Sequence, residues 1–279
     1  MITDLTRRCS IDGVDIAWDR FGTPSDHAPL LLCHGFSGSG HDFALHVEEL
    51  AAEREVIVLD HRGHGRSSKL HNDAGYSIPR LADDLIALVD AEIGGPVDLL
   101  GHSMGGAIAM RITQQRPDLV RSLIMMDTSA WSFTPTDPAI GALFTAFFAS
   151  FDPADGLPDL SAMEGPEKAL IDAATPADWQ ALKARMDTAF DPYAMRALGR
   201  DLFANDITDQ RAGLGSVTVP LTVVVGEFDE PFVSQAAELA GAVADGAVSV
   251  IAGAYHSPQL THPTEWAAAV RSHLQRSAA

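Results

Sequence analysis

The chain has 279 residues, enough for one large α/β domain with an inserted lobe and a sizeable buried core. Its 19 basic and 38 acidic side chains leave a formal charge of -19, which repels phosphate backbones and anionic lipid and argues against nucleic acid or a membrane as partner. With 46% hydrophobic and 20% charged residues the composition is globular rather than disordered. No apolar run is long enough for a signal peptide or a bilayer span, so a cytoplasmic location is expected.

From the N-terminus, CSIDGVDIAWDRFG reads as a hairpin added at a sheet edge. PLLLCHG (29–35), EVIVLDHRG (55–63), PVDLLGHS (96–103) and RSLIMMDTS (121–129) follow as short apolar runs that end in polar residues or glycine. Near-continuous hydrophobicity of this kind marks strands buried on both faces of a parallel sheet. Cys9 and Cys33 lie in such stretches and read as small buried hydrophobes of a reducing compartment.

Helix-like segments alternate with these runs over 41–53, 78–93 and 104–117. In the second, Leu81, Leu85, Leu88 and Val89 share one face, with Asp83, Asp84 and Asp90 expected to point away from it. Gly94-Gly95-Pro96 then stops the helix. Residues 131–213 break the alternation with helical patterning and no convincing strand. Strand–helix alternation resumes with VPLTVVVGEFDE (219–230), a helix over 232–244, GAVSVIAGAYHS (246–257) and a last helix from Pro263. The domain organisation expected is therefore a core of 1–130 and 214–279 interrupted by a helical insertion, 131–213. At about eighty residues the insertion is too long for a plain loop. Such a lobe is expected over the carboxyl ends of the strands, where open α/β sheets form their ligand crevices.

The stretch LLGHSMGGA carries the chemistry. Ser103 stands at the junction of a buried strand and a small-residue helix, and glycines at 101 and 105 remove Cβ atoms that would collide in so tight a bend. Its hydroxyl is thereby exposed beside the start of a helix, where the Met104 N–H lacks a helical partner. A serine hydroxyl needs a base, and the base needs a carboxylate to hold its tautomer. Asp229 falls just past one later strand and His256 just past the next. Glu227 and Glu230 crowd the same stretch as Asp229, and His262 is the nearest rival to His256, although THPTEW reads as a helix start.

HGFSGSG, DHRGHGRS, GHSMGG, GEFD and GAYH, in that order, resemble the motifs of the α/β-hydrolase-fold superfamily, of the cofactor-independent serine esterase, lactonase and C–C hydrolase type with a helical cap. The resemblance spans nearly everything outside the insertion. It implies an eight-stranded, mostly parallel sheet flanked by helices, with Ser103 as nucleophile, Asp229 as acid and His256 as base. It makes the Phe36 N–H the second oxyanion-hole donor, partnering Met104. Asp127 stays a rival acid, because some relatives of this fold draw it from that strand. His34, His61, His64, Asp60 and Arg62 resemble residues that brace the site, and His102 is expected to point away from Ser103, either as packing or as a support just behind the reacting groups. No cofactor is implied, and no metal-ligand set or nucleotide-binding fingerprint is present.

Phe144, Phe147, Phe148 and Phe151 recur at helical spacing in the insertion. Such a face either packs the lobe onto the body or lines an apolar substrate pocket, a wall that Trp131 and Phe133 could join. The function expected is that of a serine hydrolase cleaving a carboxylic ester or lactone, a small-molecule carbonyl substrate, through an acyl-enzyme. The alternatives are a C–C hydrolase of ring-cleavage products or a menaquinone-pathway-type lyase, which would want Arg185, Arg196 or Arg200 in the pocket, a perhydrolase, and a non-catalytic small-molecule receptor. Homo-oligomer formation is left open.

Overall fold

The computed structural model describes residues 4–158 and 165–277; residues 1–3, 159–164 and 278–279 of the expected core and insertion ranges lie outside the described residues. Eight strands form one sheet: β1 (Arg7–Ile11), β2 (Val14–Phe21), β3 (Leu30–Cys33), β4 (Val56–Asp60), β5 (Val97–His102), β6 (Val120–Met126), β7 (Leu221–Gly226) and β8 (Gly246–Ile251). Their order across the sheet is β1-β2-β4-β3-β5-β6-β7-β8. The β1–β2 hairpin pairs antiparallel and docks antiparallel on β4, whereas every pairing from β4 through β8 is parallel. β3, β4, β5 and β7 are buried along their whole length, as their unbroken apolar runs require when helices cover both faces. β8, at the edge, keeps exposed positions. Cys9 and Cys33 are both buried and free.

The helices are α1 (Val47–Leu50), α2 (Ile78–Leu88), α3 (Met104–Gln115), α4 (Pro138–Ser150), α5 (Glu167–Ala174), α6 (Ala177–Asp187), α7 (Pro192–Phe203), α8 (Phe232–Gly241), α9 (Pro258–Thr261) and α10 (Pro263–Ser277). The apolar faces of α2, α3 and α8 pack on one side of the sheet, and Val47 of α1 with Trp266, Val270 and Leu274 of α10 on the other.

Three local expectations are corrected. The continuous helix over 41–53 is instead a 3-10 turn at Gly40–Phe43 followed by the short α1, because Ser39 and Asp42 close a capping box around the turn. The segment 78–93 runs as α2 to Leu88 and then widens into a π turn over Val89–Ile93 that ends at Gly94 with φ 76°. Asp84 does not face solvent: it is 1% exposed and accepts two hydrogen bonds from the Arg62 guanidinium. A buried carboxylate persists only with such a partner.

Between β6 and β7 the described residues form α4 to α7 and 3-10 turns, with no strand. This segment seats on the core through reciprocal bonds. The Trp179 Nε1–H of α6 donates to the His41 carbonyl at 3.2 Å, His41 Nε2 donates to the Trp179 carbonyl at 3.0 Å, and the two rings stack at 5.1 Å.

Candidate active site

Ser103 joins β5 to α3 with φ 53° and ψ -119°, a left-handed conformation that L-residues adopt only under constraint. The constraint is the absence of side chains around it. A Cβ on Gly101 would lie 2.3 Å from the Gly105 carbonyl oxygen, and one on Gly105 would lie 2.3 Å from the Cys33 carbonyl oxygen. Both obstacles are backbone, which cannot rotate aside. Gly105→Ala is accordingly expected to destabilise the fold by about 3 kcal/mol or more, read as a lowered urea midpoint, whereas an unchanged midpoint would contradict this packing.

Past β7, a turn in which the Asp229 N–H donates to the Gly226 carbonyl at 3.2 Å brings the Asp229 carboxylate to the loop after β8. There it accepts a hydrogen bond from His256 Nδ1 at 2.9 Å. Burial alone would lower the imidazole pKa, but the Asp229 hydrogen bond and charge, with the Glu167 charge added, outweigh it and raise the pKa above the ordinary histidine value. With Nδ1 engaged, the other ring nitrogen is the one left for chemistry. Ser103 and His256 line the same cavity.

Asp127 does not bond His256. Buried at the end of β6, it accepts the Gly226 N–H at 2.8 Å and so fixes the turn that carries Asp229. Burial, then the neighbouring Asp229 charge, push its carboxyl well above the usual range. His262 turns away to Thr261, with its Nδ1 at 3.0 Å from the hydroxyl oxygen.

Phe36 and Met104 are both beside Ser103, and neither backbone N–H has a backbone acceptor among the described residues. The Phe36 loop is held by His34, which donates from Nδ1 to the Gly35 carbonyl at 2.9 Å and accepts the His61 N–H at Nε2, also at 2.9 Å. Burial keeps His34, His61 and His64 below the ordinary imidazole range, so they are neutral braces. Asp60 accepts the Gly40 and Arg66 N–H groups at 2.7 Å each.

Of the two roles expected for His102, the structure shows the supporting one. Its Nε2 donates to the His256 carbonyl at 2.8 Å, and burial lowers its pKa to about 4, which keeps it neutral. Sequence reasoning missed this bond, as it missed Glu167 of α5, whose Oε1 accepts the Ser257 N–H at 2.5 Å.

The cavity around Ser103 has a volume of about 430 Å³ and is walled on one side by α5 and α6. Its cations are Lys168 and Lys183, not the arginines considered from sequence. Arg196 and Arg200 instead pair with Asp73, and Arg185 is exposed. Lys183 is held by Asp42 and Asp187. A second, apolar cavity of about 590 Å³ is lined by Phe144, Phe147, Phe148, Leu143 and Phe203, and shares Phe36 with the first. Within this set Phe148 also packs the segment, since a Cβ on Gly199 would fall 2.1 Å from its ring. Trp131 lines neither of these two cavities; its ring lies 5.9 Å from the Arg211 guanidinium. Phe133 packs on Phe232 instead, 5.1 Å between ring centres.

A parallel sheet of this strand order, with a strained serine on the turn after its fifth strand, defines the α/β-hydrolase class. The chain belongs to that family: residues 28–263 match the model of the alpha/beta hydrolase fold, and the protein is a hydrolase. It is 32% identical over 224 residues to the putative carbamate hydrolase RutD of Variovorax paradoxus, covering 75% of this chain and 77% of that protein. Similarity to the putative carbamate hydrolase RutD of Rhizobium rhizogenes is more local, 34% identity over 119 residues, which are 43% of this chain and 44% of that protein. Among solved structures, Est816, described as an N-acyl homoserine lactone degrading enzyme, shares 26% identity with a TM-score of 0.72 over 95% of this chain and 99% of that one.

Proposed function

We propose that this hydrolase cleaves a carboxylic ester or lactone through an acyl-enzyme on Ser103. His256 takes the hydroxyl proton as the oxygen attacks the carbonyl carbon, and Asp229 holds the Nδ1–H and stabilises the imidazolium that forms. The tetrahedral oxyanion lies between the Phe36 and Met104 N–H groups, each donor contributing about 3 kcal/mol to such a transition state. The imidazolium returns the proton to the leaving alkoxide. Water then attacks the acyl carbon with the same base, releasing the acid and restoring the serine. The observation that carries this reading is the 2.9 Å bond between His256 Nδ1 and Asp229, on a ring that shares a cavity with the strained Ser103.

The α4–α7 segment acts as a cap whose two cavities sort the substrate. The aromatic chamber takes the acyl chain, and the polar chamber around Lys183, Asp42 and Gln180 takes the leaving group. The names of the relatives, a carbamate hydrolase and a lactone-degrading enzyme, share with this reading an acyl carbon bonded to a heteroatom.

The test combines a fluorophosphonate label with p-nitrophenyl esters from acetate to octanoate. Label is expected on Ser103 alone, with turnover blocked in proportion. Phe144→Ala is expected to lower the octanoate-to-acetate ratio of kcat/KM about tenfold, the value of two buried methylenes. Absence of label, or label without any ester or lactone turnover, would refute the proposal.

A further inference from the structure

We infer that Glu167, carried by the cap helix α5, is a positioning residue for His256, so that the base is assembled only when the cap is seated. This inference rests on the Ser103–His256–Asp229 reading above. The peptide of His256 is gripped from two directions. From the core, His102 Nε2 donates to its carbonyl at 2.8 Å. From the cap, Glu167 Oε1 accepts the Ser257 N–H at 2.5 Å. The Asp229 bond fixes one end of the imidazole, and holding the 256–257 peptide at both its carbonyl and its N–H fixes the backbone that carries the ring.

Glu167 also adds a charge. The groups facing His256 are Asp229 at Nδ1, Glu167 above its backbone and His102 below its carbonyl, with Asp127 behind Asp229. Lys168, next to Glu167, pairs with Asp172. His102 is neutral, so the net field on the imidazole is negative, and the Glu167 part of it stabilises the protonated ring. Activity requires His256 neutral before attack, so the acid limb of the rate profile follows its pKa. Removing a negative neighbour lowers that pKa and must move the limb to lower pH.

The sign and the two functions are separable by two substitutions, followed by kcat and KM for a p-nitrophenyl ester and by the rate of fluorophosphonate labelling, each across pH. In Glu167→Gln an amide oxygen can still accept the Ser257 N–H while the charge is gone. The acid limb is expected to shift down by about half a pH unit or more, in turnover and in labelling alike. Glu167→Ala removes charge and acceptor together. It should show the same shift and, in addition, a kcat loss between about tenfold and a hundredfold with KM little changed. A role confined to holding the cap in place would leave the limb where it is. If the Gln profile superimposes on that of the unaltered protein, the inference is overturned, whether or not the alanine variant folds. Failure of the serine mechanism is seen separately, as an unaltered protein that takes no label, and that outcome removes this inference with it.

Discussion

Replacing Ser103 with alanine is expected to lower kcat for a p-nitrophenyl ester by about 10^5-fold or more, while the melting temperature and the far-ultraviolet spectrum stay unchanged. Removal of a nucleophile that works as a unit with its base costs a factor of this size. On the proposed mechanism the residual rate would come from the two proposed oxyanion donors and from binding, which together retain about 10^3-fold over water. Neither the Phe36 nor the Met104 N–H depends on the hydroxyl. Alanine keeps the Cβ that the site already accommodates at φ 53°, so the turn has no reason to rearrange. The measurement pairs steady-state turnover with fluorophosphonate labelling followed by mass spectrometry. An alanine variant that retains full activity would show that some other group attacks the substrate.

The two carboxylates at the ends of β6 and β7 are expected to respond to very different degrees to the same isosteric change. Asp229→Asn should lower kcat by between about 10^3- and 10^4-fold near neutral pH. An amide facing His256 Nδ1 at 2.9 Å can satisfy the tautomer with the proton on Nε2, which leaves no lone pair for the serine proton. Asp127→Asn should lose less than about tenfold, because a single hydrogen bond is worth about 1 kcal/mol. Asp127 is buried, and desolvation together with the Asp229 charge raises its pKa well above the usual carboxylate range, so an uncharged amide of the same shape is a close substitute. Its carbonyl can still accept the Gly226 N–H now received at 2.8 Å. A larger loss for Asp127→Asn than for Asp229→Asn would reverse the assignment of the acid.

The parts of this molecule legible in its sequence are those whose physics is local. A strand buried on both faces must be apolar along its length, so β3, β4, β5 and β7 could be read directly. Likewise, a strand-to-helix turn tight enough to strain Ser103 must remove the Cβ atoms at 101 and 105. The positions of Asp229 and His256, in the loops just after β7 and β8, were legible by the same logic, because each comes a few residues after a strand end. Helix boundaries were less legible. The turn at Gly40–Phe43 is set by a capping box that competes with the apolar periodicity over 41–53.

Tertiary structure alone decided which distant groups meet. Asp84 carries an outward-facing charge in any helical projection, and it is buried because Arg62 reaches it from another loop. His102 reaches the His256 carbonyl across 154 residues of chain, and Glu167 reaches Ser257 across 90. Trp131 meets Arg211, 80 residues further along the chain, while Lys183 became a wall of the polar chamber because α6 packs where Asp42 can hold it. The sequence by itself determined the sheet and the turn that strains the serine, since each is dictated by neighbours within a few residues. What surrounds that serine was decided by the docking of the α4–α7 segment on the core. That docking is a sum of many weak contacts between separated segments, and no periodicity in either segment encodes it.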